Sequence, residues 1–247
     1  MIDIISSYAT LPLGKYNKIL EISKEETLEE GARNLAILSV LTGKTRDELW
    51  ALTLSEVGEL TDAAGFLLAE PPTMPLLKSY IVGRFEVAPL TEARKMTAGQ
   101  FIDYQSYVAD KSGTDLTSRI LSVFLVPVGK QYGEGYDPVE LQQDIEEYLP
   151  VADADTLTAF FFAVLTTYCA RIRTSLAKTA KKVKDKERRK QLAESLATLT
   201  TELASLRSGA GFGMSTRSRR LREALGTTRS ACPSLNSSTS YATGMTR

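Results

Sequence analysis

Histidine is absent from the 247 residues, and cysteine occurs only twice, as Cys169 and Cys232. Without histidine, the chain cannot form a Ser-His-Asp or Cys-His catalytic arrangement or a zinc site that uses histidine. The two cysteines are too few for a four-cysteine zinc site, and their different contexts, an apolar run and a Ser/Thr-rich stretch, do not indicate a structural disulfide. We therefore expect a chain from a reducing compartment that binds no metal or cofactor.

Recognisable phosphate-binding loops are also missing. The glycine-containing stretches "GEGYD" and "GAGFG" match neither the dinucleotide-binding pattern nor the loop that ends in Gly-Lys-Ser/Thr. The acid pairs Glu146/Glu147 and Asp153/Asp155 could serve acid–base chemistry, but adjacent acids near helix ends are typically solvated or capping groups. We predict that the protein is not an enzyme and has no catalytic residues.

Long apolar runs are lacking as well. The most apolar stretch, residues 157–170, is well short of the roughly 20 residues that span a bilayer, and it predicts a buried helix instead. The first residues, "MIDIISSYATLPLG", have no basic region followed by an apolar one, so they do not indicate a signal peptide. These patterns predict a cytoplasmic protein with no membrane partner.

Charged residues are abundant, and the acidic and basic ones are concentrated in different parts of the chain. Residues 1–170 hold 13 Lys+Arg and 25 Asp+Glu, a net −12, whereas residues 171–247 hold 17 and 5, a net +12. Such asymmetry is typical of a folded body with a tail that contacts a partner. The densest basic stretch is "KKVKDKERRK" (181–190), and it supplies the candidate partner-binding residues Lys181, Lys182, Lys184, Arg188 and Arg189.

Two interpretations of the basic stretch are open. Its density of Lys and Arg could form a strip that contacts nucleic-acid phosphates. The alternative is a solvated helix in which Asp185 and Glu187 pair with basic residues of the same helix. We favour the second, because a body at −12 repels phosphates, and we expect residues 178–190 to attract a neighbouring copy or an acidic client.

Helix signals fill the first seventy residues. Leucines near helical spacing in "LEEGARNLAILSVLTG" predict a first helix that ends at Gly43. Thr45, followed by glutamate three residues on, predicts the start of a second helix, and Thr53 or Ser55 predicts the start of a third. We expect Trp50 to be core or half-buried surface.

The pattern changes after "PPTMP" (71–75), a hard helix stop. Alternating β-branched and aromatic residues predict a β-hairpin between Leu76 and Ala88. Two more helices follow, one capped by Thr97 with Phe101, Tyr104 and Val108 on one face, and one closed by Pro127. The loop "VGKQYGEGYDP" is read as a turn that packs back on the helices rather than as a ligand loop. Asp137 followed by proline then starts another helix.

One long helix is predicted from Asp153, because no Gly or Pro interrupts the chain before Gly209. Its later part carries leucines stepping by four, three, four and three: Leu192, Leu196, Leu199, Leu203 and Leu206. A packed amphipathic helix or helical hairpin explains this short seam better than a self-associating coiled coil. Residues 209–247 are rich in Gly, Ser, Thr and Arg, which predicts disorder.

This order of elements resembles the tail assembly chaperones of tailed bacteriophages. The resemblance rests on "ILSVLTGKTRDELWALTLSEVGEL" (37–60), the short hairpin, "LTEARKMTAGQFIDYQSYV" (90–108), and "VFLVPVGKQYGEGYDPVEL" (123–141) before a helix with consecutive phenylalanines. It covers about residues 11–176, and the basic extension falls outside it. The expected fold is mainly α, with a helical chaperone-like domain at 1–176, a basic, leucine-seamed helical extension at 177–208 and a disordered tail at 209–247.

The resemblance implies a non-enzymatic protein that coats the long helical tape measure protein in the host cytoplasm and keeps it soluble during tail assembly. Tail tube protein, which would displace it, and further copies of the chain are additional candidate partners. Two other functions stay open: a structural virion or connector protein, and a nucleic-acid-binding protein that uses the basic segment.

Overall fold

The computed structural model describes residues 3–110 and 114–182, and within them the fold is mainly helical, as predicted. The helices are α1 (Leu13–Lys24), α2 (Glu30–Thr42), α3 (Arg46–Trp50), α4 (Leu54–Ala63), α5 (Ala98–Ala109), α6 (Leu116–Phe124), α7 (Pro138–Tyr148) and α8 (Val151–Lys182). The strands are β1 (Tyr80–Val82), β2 (Phe85–Pro89) and β3 (Leu125–Pro127). The predicted extension beyond Lys182 and the tail at 209–247 lie outside the described residues.

The helix starts that capping side chains predict are confirmed. Thr45, Thr53 and Thr97 each accept a hydrogen bond from the backbone N–H three residues on, and each capping box is complete. The Asp137 side chain caps α7, with proline at the first helical position. Gly43 ends α2 in the left-handed conformation that favours glycine, with φ of 72°.

Helix α1 was not predicted, and the expectation of three helices in the first seventy residues is wrong. Four α-helices lie there, followed by a 3-10 turn at Ala64–Leu68. No side chain caps α1. Its start is instead fixed by hydrogen bonds to residues far away in the sequence. The Leu13 backbone N–H donates to the Leu149 carbonyl at 3.0 Å, and the Val151 backbone N–H donates to the Leu11 carbonyl at 2.9 Å.

The predicted hairpin is confirmed, and a third strand extends it. β1 pairs antiparallel with β2, and β2 pairs antiparallel with β3, in the order β1-β2-β3. The sequence placed residues 125–127 at the end of a helix closed by Pro127. Instead, α6 ends at Phe124 and the chain continues directly into β3, because pairing with Val87–Pro89 replaces the helical hydrogen bonds.

Helix α6 lies at the centre of the main core. It packs against α5, α7 and α8, and nearly all of its side chains are buried. Phe124, at its end, stacks on Phe161 of α8 with ring centroids 4.6 Å apart, and its edge meets Tyr104 of α5. The predicted apolar face of α5 is only partly correct, since Tyr104 is buried whereas Phe101 is 48% exposed.

Helix α8 leaves the core well before its last described residue. Its buried side chains all lie between Val151 and Leu165, and none of its described side chains beyond Leu165 is buried. The helix runs unbroken past residue 176, where the predicted domain boundary lies, to Lys182. Its final described turns are therefore a projection from the body.

Candidate functional site

Two tight connections fold α2, α3 and α4 into a small module. After Gly43, the Ser39 hydroxyl donates to the Lys44 carbonyl at 2.5 Å, and α3 begins two residues later. The capping boxes at Thr45 and Thr53 then start two helices within nine residues. These short connections allow α2, α3 and α4 to share one small core.

The capping glutamates stay ionised at lower pH than an ordinary glutamate. The Thr45 backbone N–H donates to the Glu48 carboxylate at 2.7 Å, and the Thr53 backbone N–H to that of Glu56 at 2.8 Å. Because these bonds stabilise the charged form, they lower the pKa of both carboxyl groups. The module therefore keeps both negative charges at an acidic pH at which an ordinary glutamate is partly protonated.

An apolar groove opens on the surface of this module. Leu38, Leu49 and Leu60 form a second, smaller core that joins the three helices. Above it lies what we name the α2–α4 groove, whose apolar lining residues are Leu35, Leu38, Leu49, Trp50, Leu52, Leu54 and Val57. A smaller depression between α2 and the 3-10 turn shares Asn34, Leu38 and Thr61 with it.

Two large side chains of the groove are exposed to a degree that the sequence did not suggest. Trp50 is 70% exposed and Leu54 is 92% exposed, so the expectation of a core or half-buried tryptophan is wrong. The short length of α3 is the feature that could have indicated this exposure of Trp50. Adjacent residues of a helix point about 100° apart, so in a five-residue helix that packs on one face, Leu49 lies in the core while Trp50 points away from it.

The groove lies within an acidic segment, residues 25–62, which we call its acidic rim. Residues 25–62 contain nine carboxylates and three basic side chains, and all nine carboxylates are exposed. Glu29 and Arg46 lie directly on the groove wall. A ligand with apolar residues on one face and basic residues beside them matches both the lining and the rim.

The basic residues that the sequence singled out are not brought into this groove. Lys181 and Lys182 lie in the last turn of α8, and their side chains are not described. Lys184, Arg188 and Arg189 lie outside the described residues. Their role in partner binding stays a prediction.

The glycine-rich loop and Glu146, also singled out in the sequence, have structural roles. The Tyr132 hydroxyl, in the glycine-rich loop, donates to Asp103 of α5 at 2.7 Å, and Tyr136 meets the edge of Phe85, as expected for a turn that packs back on the body. Glu146 accepts from the Ser118 hydroxyl at 2.5 Å, which ties α7 to α6. Burial raises the pKa of Asp153, in the first turn of α8.

Two further surveys cover the described residues only. Across 3–110 and 114–182, no group of three or more Cys, Asp or Glu side chains is placed to hold a metal ion. In the same part of the chain, no helix has both the length and the apolar character to cross a membrane.

Comparison with known protein families, with curated proteins and with solved structures finds no match to this chain. Inferences about function therefore rest on the groove itself and on the sequence patterns.

Proposed function

We propose that this protein is a non-enzymatic chaperone whose α2–α4 groove binds apolar-striped helical segments of a long client, as a tail assembly chaperone does with a tape measure protein. The observation that carries the proposal is the exposure of Trp50 (70%) and Leu54 (92%) beside an apolar groove. Single exposed apolar residues are ordinary on protein surfaces, but a contiguous apolar groove with two large exposed side chains is typical of an interaction site.

The groove suits a helix. An amphipathic helix presents apolar residues at intervals of three and four, and such a stripe lies in a groove between two helices with its polar face outward. Complete burial of a leucine-sized side chain contributes about 1.5–3 kcal/mol, so covering Leu54 alone is a substantial gain. Tryptophan is enriched among the residues that dominate binding energy.

The acidic rim gives the groove a preference for clients that carry basic residues. A client stripe flanked by Lys or Arg gains from the nine carboxylates of residues 25–62, whereas an acidic client or a nucleic acid is repelled. Exposed charges are screened beyond about 8–10 Å near physiological ionic strength, so this preference weakens with salt. This electrostatic argument favours a protein client over the nucleic-acid alternative.

Covering such stripes would keep a tape measure protein from aggregating before its tail is built. In this proposal the chaperone acts in the host cytoplasm and leaves when tail tube protein takes its place. A structural virion or connector protein would instead remain in finished particles, so the composition of purified particles separates these two functions.

A double variant of the groove tests the proposal. We expect W50A/L54A to lose capture of the client, for which the probe is a tape measure protein co-expressed with the full chain. Loss of a central tryptophan contact weakens binding by about 2 kcal/mol or more, roughly thirtyfold. The measurement is the amount of client that stays soluble and co-purifies with the full chain.

The matched control is I102A/V139A, which removes two other helical apolar side chains that are 63% and 55% exposed. This control should retain the client as the parent does, and both variants should melt at the temperature of the parent. Equal retention of the client by both double variants would exclude the groove as the binding site.

A further inference from the structure

We infer that the α2–α4 groove also receives this chain's own leucine segment, residues 192–206, from a second copy. The leucines at 192, 196, 199, 203 and 206 step by four, three, four and three, the spacing that predicts a single apolar helical stripe. Residues 181–190, immediately before it, hold seven Lys and Arg. The chain thus contains the ligand that the groove and its rim select, an apolar stripe beside basic residues.

The fold places the groove near the start of α8. The Ala152 backbone N–H donates to the Tyr8 carbonyl at 3.2 Å, and the Tyr8 hydroxyl donates to the Leu67 carbonyl at 3.2 Å. Leu67 belongs to the 3-10 turn that directly follows α4, and it lies against α2. Tyr8 therefore ties the turn at the end of the module to the first turn of α8.

The rest of α8 carries the basic segment away from that module. Farther along, residues 163–171 lie against 91–94, at a different part of the body. At 1.5 Å per residue, the helix from Ala152 to Lys182 extends about 45 Å. The ten residues from 183 to 192 reach at most about 36 Å even when fully extended.

This difference in reach favours docking between copies over docking within one chain. A segment that follows Lys182, about 45 Å along α8 from the turn that Tyr8 ties to the module, is free to meet the groove of another copy. The contact is heterologous, since the groove of one copy takes the segment of the next, and such contacts build rings or open chains of copies. Charge complementarity agrees, because the part that carries the groove is net −12 and the part that carries the segment is net +12.

The inference goes beyond client binding and stands without it, because it concerns only this chain. Where both hold, the segment and the client compete for one groove. A free chaperone would then keep its apolar groove covered by a second copy until a client displaces the segment.

The experiment mixes two variants of the full chain and measures their mass by sedimentation velocity. The groove variant is W50A/L54A, and the segment variant is L199D/L203D. We expect the parent to form growing assemblies at low salt, and each variant alone to associate at least about tenfold more weakly. The mixture should give a 1:1 dimer that grows no further, because only one intact groove and one intact segment remain to pair.

Other outcomes overturn the inference. If the groove variant alone still associates and the segment variant does not, the segment pairs with itself as a coiled coil. If parent and variants are all monomers, docking between copies does not occur. The control I102A/V139A should associate as the parent does, and thermal melting should show that each variant is folded.

A charge variant tests the rim in the same assay. We expect K181E/K182E/R188E/R189E to weaken association at low salt and to make it less sensitive to added salt. Association equal to that of the parent at low salt would exclude a contribution from the basic segment.

Discussion

Replacing Phe161 by alanine is expected to lower the free energy of unfolding by about 3–5 kcal/mol, the range for removing a buried aromatic ring. Phe161 is 1% exposed and stacks on Phe124 with centroids 4.6 Å apart. Truncation would remove the stacking and leave a cavity at the junction of α6 and α8. Urea unfolding followed by circular dichroism measures the change.

The matched control is Phe101→Ala, the same substitution at a helical position that is 48% exposed. Because this ring is half solvated and leaves no enclosed cavity, its loss should change the free energy of unfolding by less than about 1 kcal/mol. Equal losses for the two variants would contradict the burial that the structure assigns to α8.

Gly83→Ala is expected to be the second most damaging change, with a loss of about 3 kcal/mol. Gly83 turns the hairpin with φ of 53°, in the left-handed region, where a side chain costs about 1–2 kcal/mol. An added Cβ would also lie 2.5 Å from the Asp144 carboxylate oxygen. That oxygen accepts from the Arg84 backbone N–H at 3.2 Å, and a hydrogen bond to a charged group contributes about 1.5–3 kcal/mol.

Gly43→Ala separates the cost of the left-handed backbone from the cost of the clash with Asp144. Gly43 has φ of 72°, but an added Cβ there would meet nothing within 4 Å. The Gly43→Ala variant should therefore lose only about 1–2 kcal/mol of the free energy of unfolding, the cost of the left-handed backbone. If Gly43→Ala and Gly83→Ala destabilise the protein equally in urea unfolding, the contact between the hairpin and α7 does not contribute as described.

Features that depend on neighbouring residues could be predicted from the sequence. The capping threonines at 45, 53 and 97 form hydrogen bonds within three residues, so their patterns are local and were confirmed. The β-hairpin also has a local cause, the turn at Gly83 between two alternating stretches. The mainly helical class followed from these signals.

Features that depend on distant residues could not be predicted. Helix α1 starts where Leu13 bonds to Leu149, and β3 forms because Val87 pairs with Pro127. An apolar run such as "LSVFLVP" does not distinguish a helix from a strand when its partner is unknown. The groove was missed for a related reason: only the packing of Leu38, Leu49 and Leu60 decides which neighbouring side chains stay outside.

Trp50 offers the most direct measurement of the central claim, because it is the only tryptophan in the chain and lies in the groove. In dilute protein, where few copies associate, we expect its fluorescence to resemble that of a solvated tryptophan and acrylamide to quench it strongly. Titration with a helical segment of the client should shift the emission to shorter wavelength and reduce quenching, since a bound helix covers the ring. Client binding that co-sedimentation detects while Trp50 emission and quenching stay unchanged would contradict the account.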